Sequence, residues 1–225
     1  MTVLAAGVDD AGRGSIIGPL VIAGVLHPSE LADELWKLGV KDSKRLTPAR
    51  RSRLAERIKE AVEAYEIVEI PPSKIDEVVA QKRKFRRLNF LEAQVMARVL
   101  AKLKPQIAYV DSCDPDTSRF ASHLAELLPF KVKIVCEHKA EEKFALVAAA
   151  SILAKVHRDR AVEKLKNLYG DFGSGYPSDP RTIRFLDEWL KKHGDYPSFV
   201  RKTWKTLRRL QPSRQLKMED LGGEA

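Results

Sequence analysis

Apolar positions along this chain follow two periods, and the switches between them mark out strands and helices. Val3–Val8 reads as a short buried strand, and Ile16–Leu26 as a second one whose Val, Ile and Leu content outweighs its single Pro. Gly12, Arg13 and Gly14 form the turn between them. Ser43–Pro48 leads into a helix over 49–64, with Leu54, Ile58 and Val62 on one stripe. Tyr65–Ile70 returns as a strand, which Pro71 and Pro72 stop.

Phe85–Leu103 has helical periodicity, with Leu91, Val95 and Leu100 among its buried candidates. A strand over Gln106–Asp111 runs into polar Ser112–Ser118, a helix continues through Leu128, and Lys131–Cys136 is the next strand. The alternation of strand and helix in this half implies parallel pairing. Glu141–Tyr169 is one long helix ended by Gly170, and its Ala148-Ala149-Ala150-Ser151 run predicts close approach to a sheet. Beyond the loop Gly173–Pro180 lie two amphipathic helices and a polar tail, and there is no internal repeat. The class is α/β.

Composition narrows the partners. At 225 residues the chain suits one domain with a helical appendage, large enough to need no disulfide. Cys113 and Cys136 are accordingly read as free thiols, since spaced Cys and His pairs of the zinc-binding kind are absent. A net charge of +9 favours a polyanionic partner. Its distribution supports that reading: Lys82, Arg83, Lys84, Arg86 and Arg87 form one basic run, and Arg201, Lys202, Lys205, Arg208 and Arg209 another. Either run by itself could equally be a solvated helix face. The longest apolar stretches, Ile16–Leu26 and Phe144–Ala154, fall short of the roughly 18 residues of a membrane span, and Met1–Val8 lacks the basic start of a signal peptide. The expectation is a soluble, cytoplasmic monomer with no membrane contact.

Four acids carry the candidate chemistry. Asp9 and Asp111 each stand where an apolar strand stops, and the carboxyl ends of strands are where open sheets bind ligands. Taken singly, either could be an ordinary turn acid. Adjacent strand residues point to opposite faces, so only a bend just after the strand, supplied by Gly12 and Gly14, would aim Asp10 at the same site as Asp9. Glu141 adds a carboxylate at a helix start, where the dipole stabilises an anion. Clustered carboxylates repel and raise one another's pKa, so they are stable as anions chiefly with divalent cations bound. Hard oxygen ligands select Mg²⁺ or Mn²⁺, and two such ions roughly 4 Å apart can activate water and hold a leaving oxygen in phosphoryl transfer.

The motifs around these acids resemble those of ribonuclease HII, the type 2 ribonuclease H family, in its archaeal form. Gly7-Val-Asp-Asp-Ala-Gly-Arg-Gly14 with Ile17-Gly-Pro19 matches the family's opening motif. Val40–Leu46, Tyr109-Val-Asp111, Glu137–Ala140, Ala149–Lys155 and Gly173–Thr182 match further motifs in the same order. The resemblance implies a ribonuclease H-like mixed five-stranded sheet flanked by helices. It divides the chain into a catalytic domain at 1–170, a helical substrate-binding extension at 171–211 and a polar tail at 212–225. It implies endonucleolytic cleavage of the RNA strand of RNA-DNA hybrids, and cleavage 5′ of single ribonucleotides embedded in duplex DNA, leaving 3′-hydroxyl and 5′-phosphate ends. Asp9, Asp10, Asp111 and Glu141 would be the catalytic metal ligands. Gly12, Arg13 and Gly14 would meet the 2′-OH, Ser43 and Lys44 would touch phosphate, and Tyr176 would stack at the RNA to DNA junction. His138 is assigned no catalysis.

Two acids depart from the family pattern. The second acid of the opening motif is usually Glu and here is Asp10, whereas the acid after His-Lys-Ala is usually Asp and here is Glu141. One arm is shorter and the other longer by about one 1.5 Å carbon bond. The exchange either compensates, or leaves a weakened enzyme or an inactive hybrid-binding protein. The tail segment Gln215–Leu221 has the spacing of a sliding-clamp-binding peptide without its usual terminal aromatic pair, so a weak clamp contact or a flexible terminus is expected there.

Overall fold

The computed structural model describes residues 2–41, 46–81 and 87–210. Five strands form one mixed sheet: β1 Leu4–Ala11, β2 Leu20–Pro28, β3 Ala64–Ile70, β4 Ile107–Asp111 and β5 Lys133–Glu137, in the order β3-β2-β1-β4-β5. β1 pairs antiparallel with β2 and β2 with β3, while β1–β4 and β4–β5 are parallel. Parallel pairing in the second half is therefore as the strand-helix alternation requires. The helices are α1 Glu34–Lys37, α2 Pro48–Ala61, α3 Pro72–Ala80, α4 Arg87–Leu103, α5 Thr117–Leu127, α6 Ala145–Tyr169, α7 Pro180–His193 and α8 Lys205–Leu210.

Strand alternation splits the core into two layers. Ala5 and Ala11 of β1 join Val21, Ala23 and Val25 of β2 beneath α6 and α2, and Ala6 and Val8 join Leu20 and Ile22 beneath α4 and α5. α6 lies directly on β1: a Cβ at Gly7 would stand 2.2 Å from the Leu146 carbonyl carbon and 2.3 Å from the Val147 nitrogen. The small-residue run of α6, buried at Ala148, Ala149 and Ala150, makes the close approach that its sequence predicts. A third apolar cluster joins Ile16, Ile17 and Val162 to Phe172, Leu186, Phe199 and Val200 of the C-terminal segment.

Several boundaries differ from the sequence reading. β1 continues through Ala11, held by its pairing with Val21, instead of stopping at Val8. β2 begins only at Leu20, because Ile16 and Ile17 turn away to bond Gly175 and Val200. Pro71 and Pro72 end β3 but open α3, since proline suits the first helical turn, where no amide partner is needed. α6 starts at Ala145, with Glu141 in a separate 3₁₀ turn at Ala140–Glu142. Of the basic run at 82–87, residues 82–86 lie outside the described residues.

Candidate active site

Asp9 and Asp111 meet through strand register. The β1–β4 ladder ends at Val8 opposite Val110, so Asp9 and Asp111 are the next positions of the two parallel neighbours. Asp111 is the last residue of its strand, as expected, whereas Asp9 lies inside β1 with Ala23 opposite. Asp9 belongs to the face covered by α6, where the Ser151 hydroxyl donates to its carboxylate. Burial, then the facing Asp111, push Asp9 up to about 7. Burial also raises Asp111, with Glu141 adding repulsion, against the Ala140 amide that donates to Asp111 Oδ1 at 2.8 Å.

That amide is presented by a specific turn. Lys139 takes the left-handed conformation, φ 54°, which swings Ala140 N–H towards Asp111 and puts Glu141 beside the acid pair. The expectation that Glu141 caps a long helix is thus corrected. Phe144 has extended dihedrals and separates the 3₁₀ turn from α6, so Glu141 is not in the first turn of that helix. The ring nitrogens of His138 lie 3.2 Å from the Ser112 carbonyl and 3.4 Å from the Pro115 carbonyl, fastening the segment after β4.

The expected bend after Asp9 is absent, because Asp10 also pairs within β1, opposite Ile22. Its side chain therefore points to the α4 face, by strand alternation. There burial, then Glu92, then Asp9 hold the Asp10 carboxyl well above the usual carboxylate range. Sequence reasoning missed Glu92. It is fully buried and accepts from Arg13 Nε at 2.8 Å, and Asn89 one helical turn earlier accepts from Arg13 Nη2 at 2.6 Å. Burial would lower the Arg13 guanidinium, but the Glu92 carboxylate raises it above its ordinary value. A signal was available in the sequence: Asn89 and Glu92 lie on the same stripe of α4 as buried Ala93, Met96 and Leu100, where polar residues are rare.

The glycines of the turn have different duties. Gly12 has φ +86° and a Cβ there would meet the Pro19 carbonyl at 2.7 Å, so the fold itself demands glycine. Gly14 has no such constraint: its Cβ would find only Tyr176, 3.9 Å away. Tyr176 is carried by a loop built on Asp179, the N-cap of α7, which accepts from the Ser174 amide at 2.8 Å. The Arg158 guanidinium lies 4.7 Å from the Tyr176 ring centroid and donates to the Ser174 carbonyl at 2.8 Å. Asp10, the three turn residues, Arg51, Ser151, Lys155 and Tyr176 line one cleft of ≈ 460 Å³.

Arg201, counted from sequence with an exposed basic run, is completely buried. Burial, then the nearby Arg158, lower its guanidinium to about 10. It donates to the carbonyls of Gly12 at 2.7 Å, Arg13 at 2.8 Å and Gly18 at 3.1 Å. Its neighbour Lys202 pairs with Asp195 at 2.6 Å. Ser43 and Lys44 lie outside the described residues. Cys113 and Cys136 are free, and burial pushes both thiols up, that of Cys136 to about 12.

The acids have the chemistry of a hard-cation site: oxygen donors only, desolvated and mutually repelling, which is the situation a divalent ion relieves. Among the described residues no three His, Cys, Asp or Glu side chains form a ready metal cage. No helix among these residues is long and apolar enough to cross a membrane.

Comparison with known proteins adds a consistent picture. Residues 6–207 match the model of the family described as ribonuclease HII. A ribonuclease HII of Thermococcus onnurineus is 46% identical over 219 residues, 97% of this chain and 95% of that protein. The crystal structure of ribonuclease H2 from Pyrococcus horikoshii superposes with a TM-score of 0.86 at 46% identity, covering 92% of this chain and 97% of that one. A ribonuclease HII from Archaeoglobus fulgidus, solved in a complex with PCNA, gives 0.83 at 47% identity, covering 92% and 96%.

Proposed function

Because the chain belongs to the ribonuclease HII family and is thus an endonuclease of the ribonuclease H kind, we propose that it cuts the RNA strand of RNA-DNA hybrids and cuts 5′ of single ribonucleotides within duplex DNA. The observation that carries this reading is the common cleft, in which Asp10, the Gly12–Gly14 turn and the Tyr176 ring come together. The 2′-OH is the group that distinguishes a ribonucleotide from its deoxy neighbours, and a turn backbone offers amide donors of matching reach. Tyr176 supplies a flat face for the adjoining sugar or base.

Asp9, Asp10, Asp111 and Glu141 would hold divalent cations, Mg²⁺ or Mn²⁺, whose charge favours displacement at phosphorus by water and leaves 3′-hydroxyl and 5′-phosphate ends. The protein's own part is positioning. Ser151 and the Ala140 amide fix the Asp9 and Asp111 carboxylates from two sides. Glu92 and Asn89 draw the Arg13 guanidinium inward, so the turn offers its backbone to the cleft. Lys155 and Arg51 in the same cleft bring positive charge for the phosphates. Ser43 and Lys44 are proposed phosphate contacts on the strength of their motif alone.

Residues 1–170 would act as the catalytic domain and 171–211 as the substrate-binding extension, acting as a monomer in the cytoplasm. The Archaeoglobus fulgidus complex supports a sliding-clamp contact here as well; its seat would be the 212–225 tail, which lies outside the described residues. The deciding assay offers a duplex with one ribonucleotide, an all-DNA duplex and an RNA·RNA duplex, each with Mg²⁺ or Mn²⁺. A divalent-dependent cut 5′ of the ribonucleotide, with the other duplexes intact, is expected; no cut with either ion would leave a binding protein in place of an enzyme.

A further inference from the structure

We infer that Arg201 is a positioning residue for ribonucleotide discrimination, fastening the Gly12–Gly14 turn to the C-terminal segment and so holding it in register with Tyr176. This rests on the proposed role of that turn and adds a residue outside every motif of the sequence reading.

Arg201 is fully buried and forms no ion pair among the described residues. A guanidinium desolvated without a carboxylate is costly, and an apolar side chain would occupy the space more cheaply. What arginine adds is a rigid fork of aimed donors. Nη2 and Nη1 take the carbonyls of Gly12 and Arg13, and Nε takes that of Gly18, so one side chain grips both ends of the 12–18 segment. The Trp204 ring, its centroid 5.0 Å from the guanidinium carbon, backs the fork.

The same segment is stitched along its length. Arg201 N–H donates to Ile16 O and Gly18 N–H to Phe199 O, both at 2.9 Å, and Ile17 bridges Val200. On its other side the Ile16 and Ile17 amides donate to Gly175 O at 2.8 and 3.1 Å, one residue before Tyr176. Arg201 thus closes a unit that contains the turn and the loop bearing the aromatic ring. Loss of its donors removes a bond from each of the Gly12 and Arg13 carbonyls, of which that of Gly12 keeps the Ser15 amide at 3.2 Å and the Ser15 hydroxyl at 2.9 Å.

Arg201→Lys, which keeps the charge but loses the fork, and Arg201→Met are tested as full-length chains. The measurements are kcat and KM on a single-ribonucleotide duplex and on a continuous RNA·DNA hybrid, with thermal melting alongside. The lysine variant is expected to lose about tenfold or more in kcat/KM on the single ribonucleotide, from the loss of charge-assisted bonds. The loss on the continuous hybrid is smaller, because neighbouring riboses and hybrid shape support binding there. Amide hydrogen exchange at 14–18 is expected to rise in either variant while that of β1 and β4 does not. Equal losses on both substrates, or unchanged exchange at 14–18, overturn the inference. A wild-type chain that fails to cut the single-ribonucleotide duplex refutes the proposed function and this inference together, whereas wild-type cutting with an unchanged substrate ratio in the lysine variant refutes this inference alone.

Discussion

Asp9 shows at the scale of one residue how a site is maintained against stability. Its carboxyl rises from an ordinary 3.8 to about 7 in the folded chain, chiefly by burial. Between those two values the folded state holds a proton that the unfolded state has released, so metal-free stability falls as pH rises from about 4 to 7. The ceiling is about 4 kcal/mol, at about 1.4 kcal/mol for each pH unit. Asp9→Asn is therefore expected to raise the metal-free melting temperature at pH 7 and to remove that part of the pH dependence, while abolishing cleavage; a lower melting temperature at pH 7 contradicts this account. The altered acids give a second case. Asp10 reaches the acid pair from the α4 face and Glu141 from the 3₁₀ turn, and both couple electrostatically to it. If the shortened arm and the lengthened arm compensate, Asp10→Glu and Glu141→Asp each lower kcat and the double variant restores it. Effects that add within about 0.5 kcal/mol in a double-mutant cycle would sink the compensation.

At the scale of elements, close approach between α6 and β1 is what brings Ser151 to Asp9, and Gly7 is the point of contact. A Cβ there would overlap backbone, which cannot rotate aside, so Gly7→Ala is expected to cost about 3 kcal/mol or more in urea unfolding. Gly14→Ala is the complementary test. With its nearest contact at 3.9 Å, stability should change by no more than about 0.5 kcal/mol, yet cleavage at a single ribonucleotide should fall because the methyl enters the cleft. Full activity in that variant would return Gly14 to the status of a plain turn residue. The elements themselves were readable to a useful degree. The stripe Leu54 and Ile58 is buried in α2, and the long helix ends at Gly170 as its composition requires. The boundaries at Ala11 and Leu20 failed where a partner strand or a long-range hydrogen bond outweighed local preference, and that at Ala145 where Phe144 takes extended dihedrals.

For the whole molecule, the site is an assembly of distant segments whose register no local pattern specifies. The spacing of apolar runs and the ordered motifs determined the α/β class, Asp9 and Asp111 as candidate acids, and the turn and ring as candidate partners, because periodicity and residue chemistry are local properties written directly in the chain. The surroundings of those residues were decided by packing. Strand continuation sent Asp10 to the opposite face from Asp9, α4 placed Glu92 and Asn89 against Arg13, and the C-terminal segment buried Arg201 under the turn. An arginine in a basic run looks the same in sequence whether it faces solvent or grips three carbonyls. Only the folding back of residues 199–201 onto residues 12–18 decides which it does, since the acceptors that make its burial affordable lie more than 180 residues away.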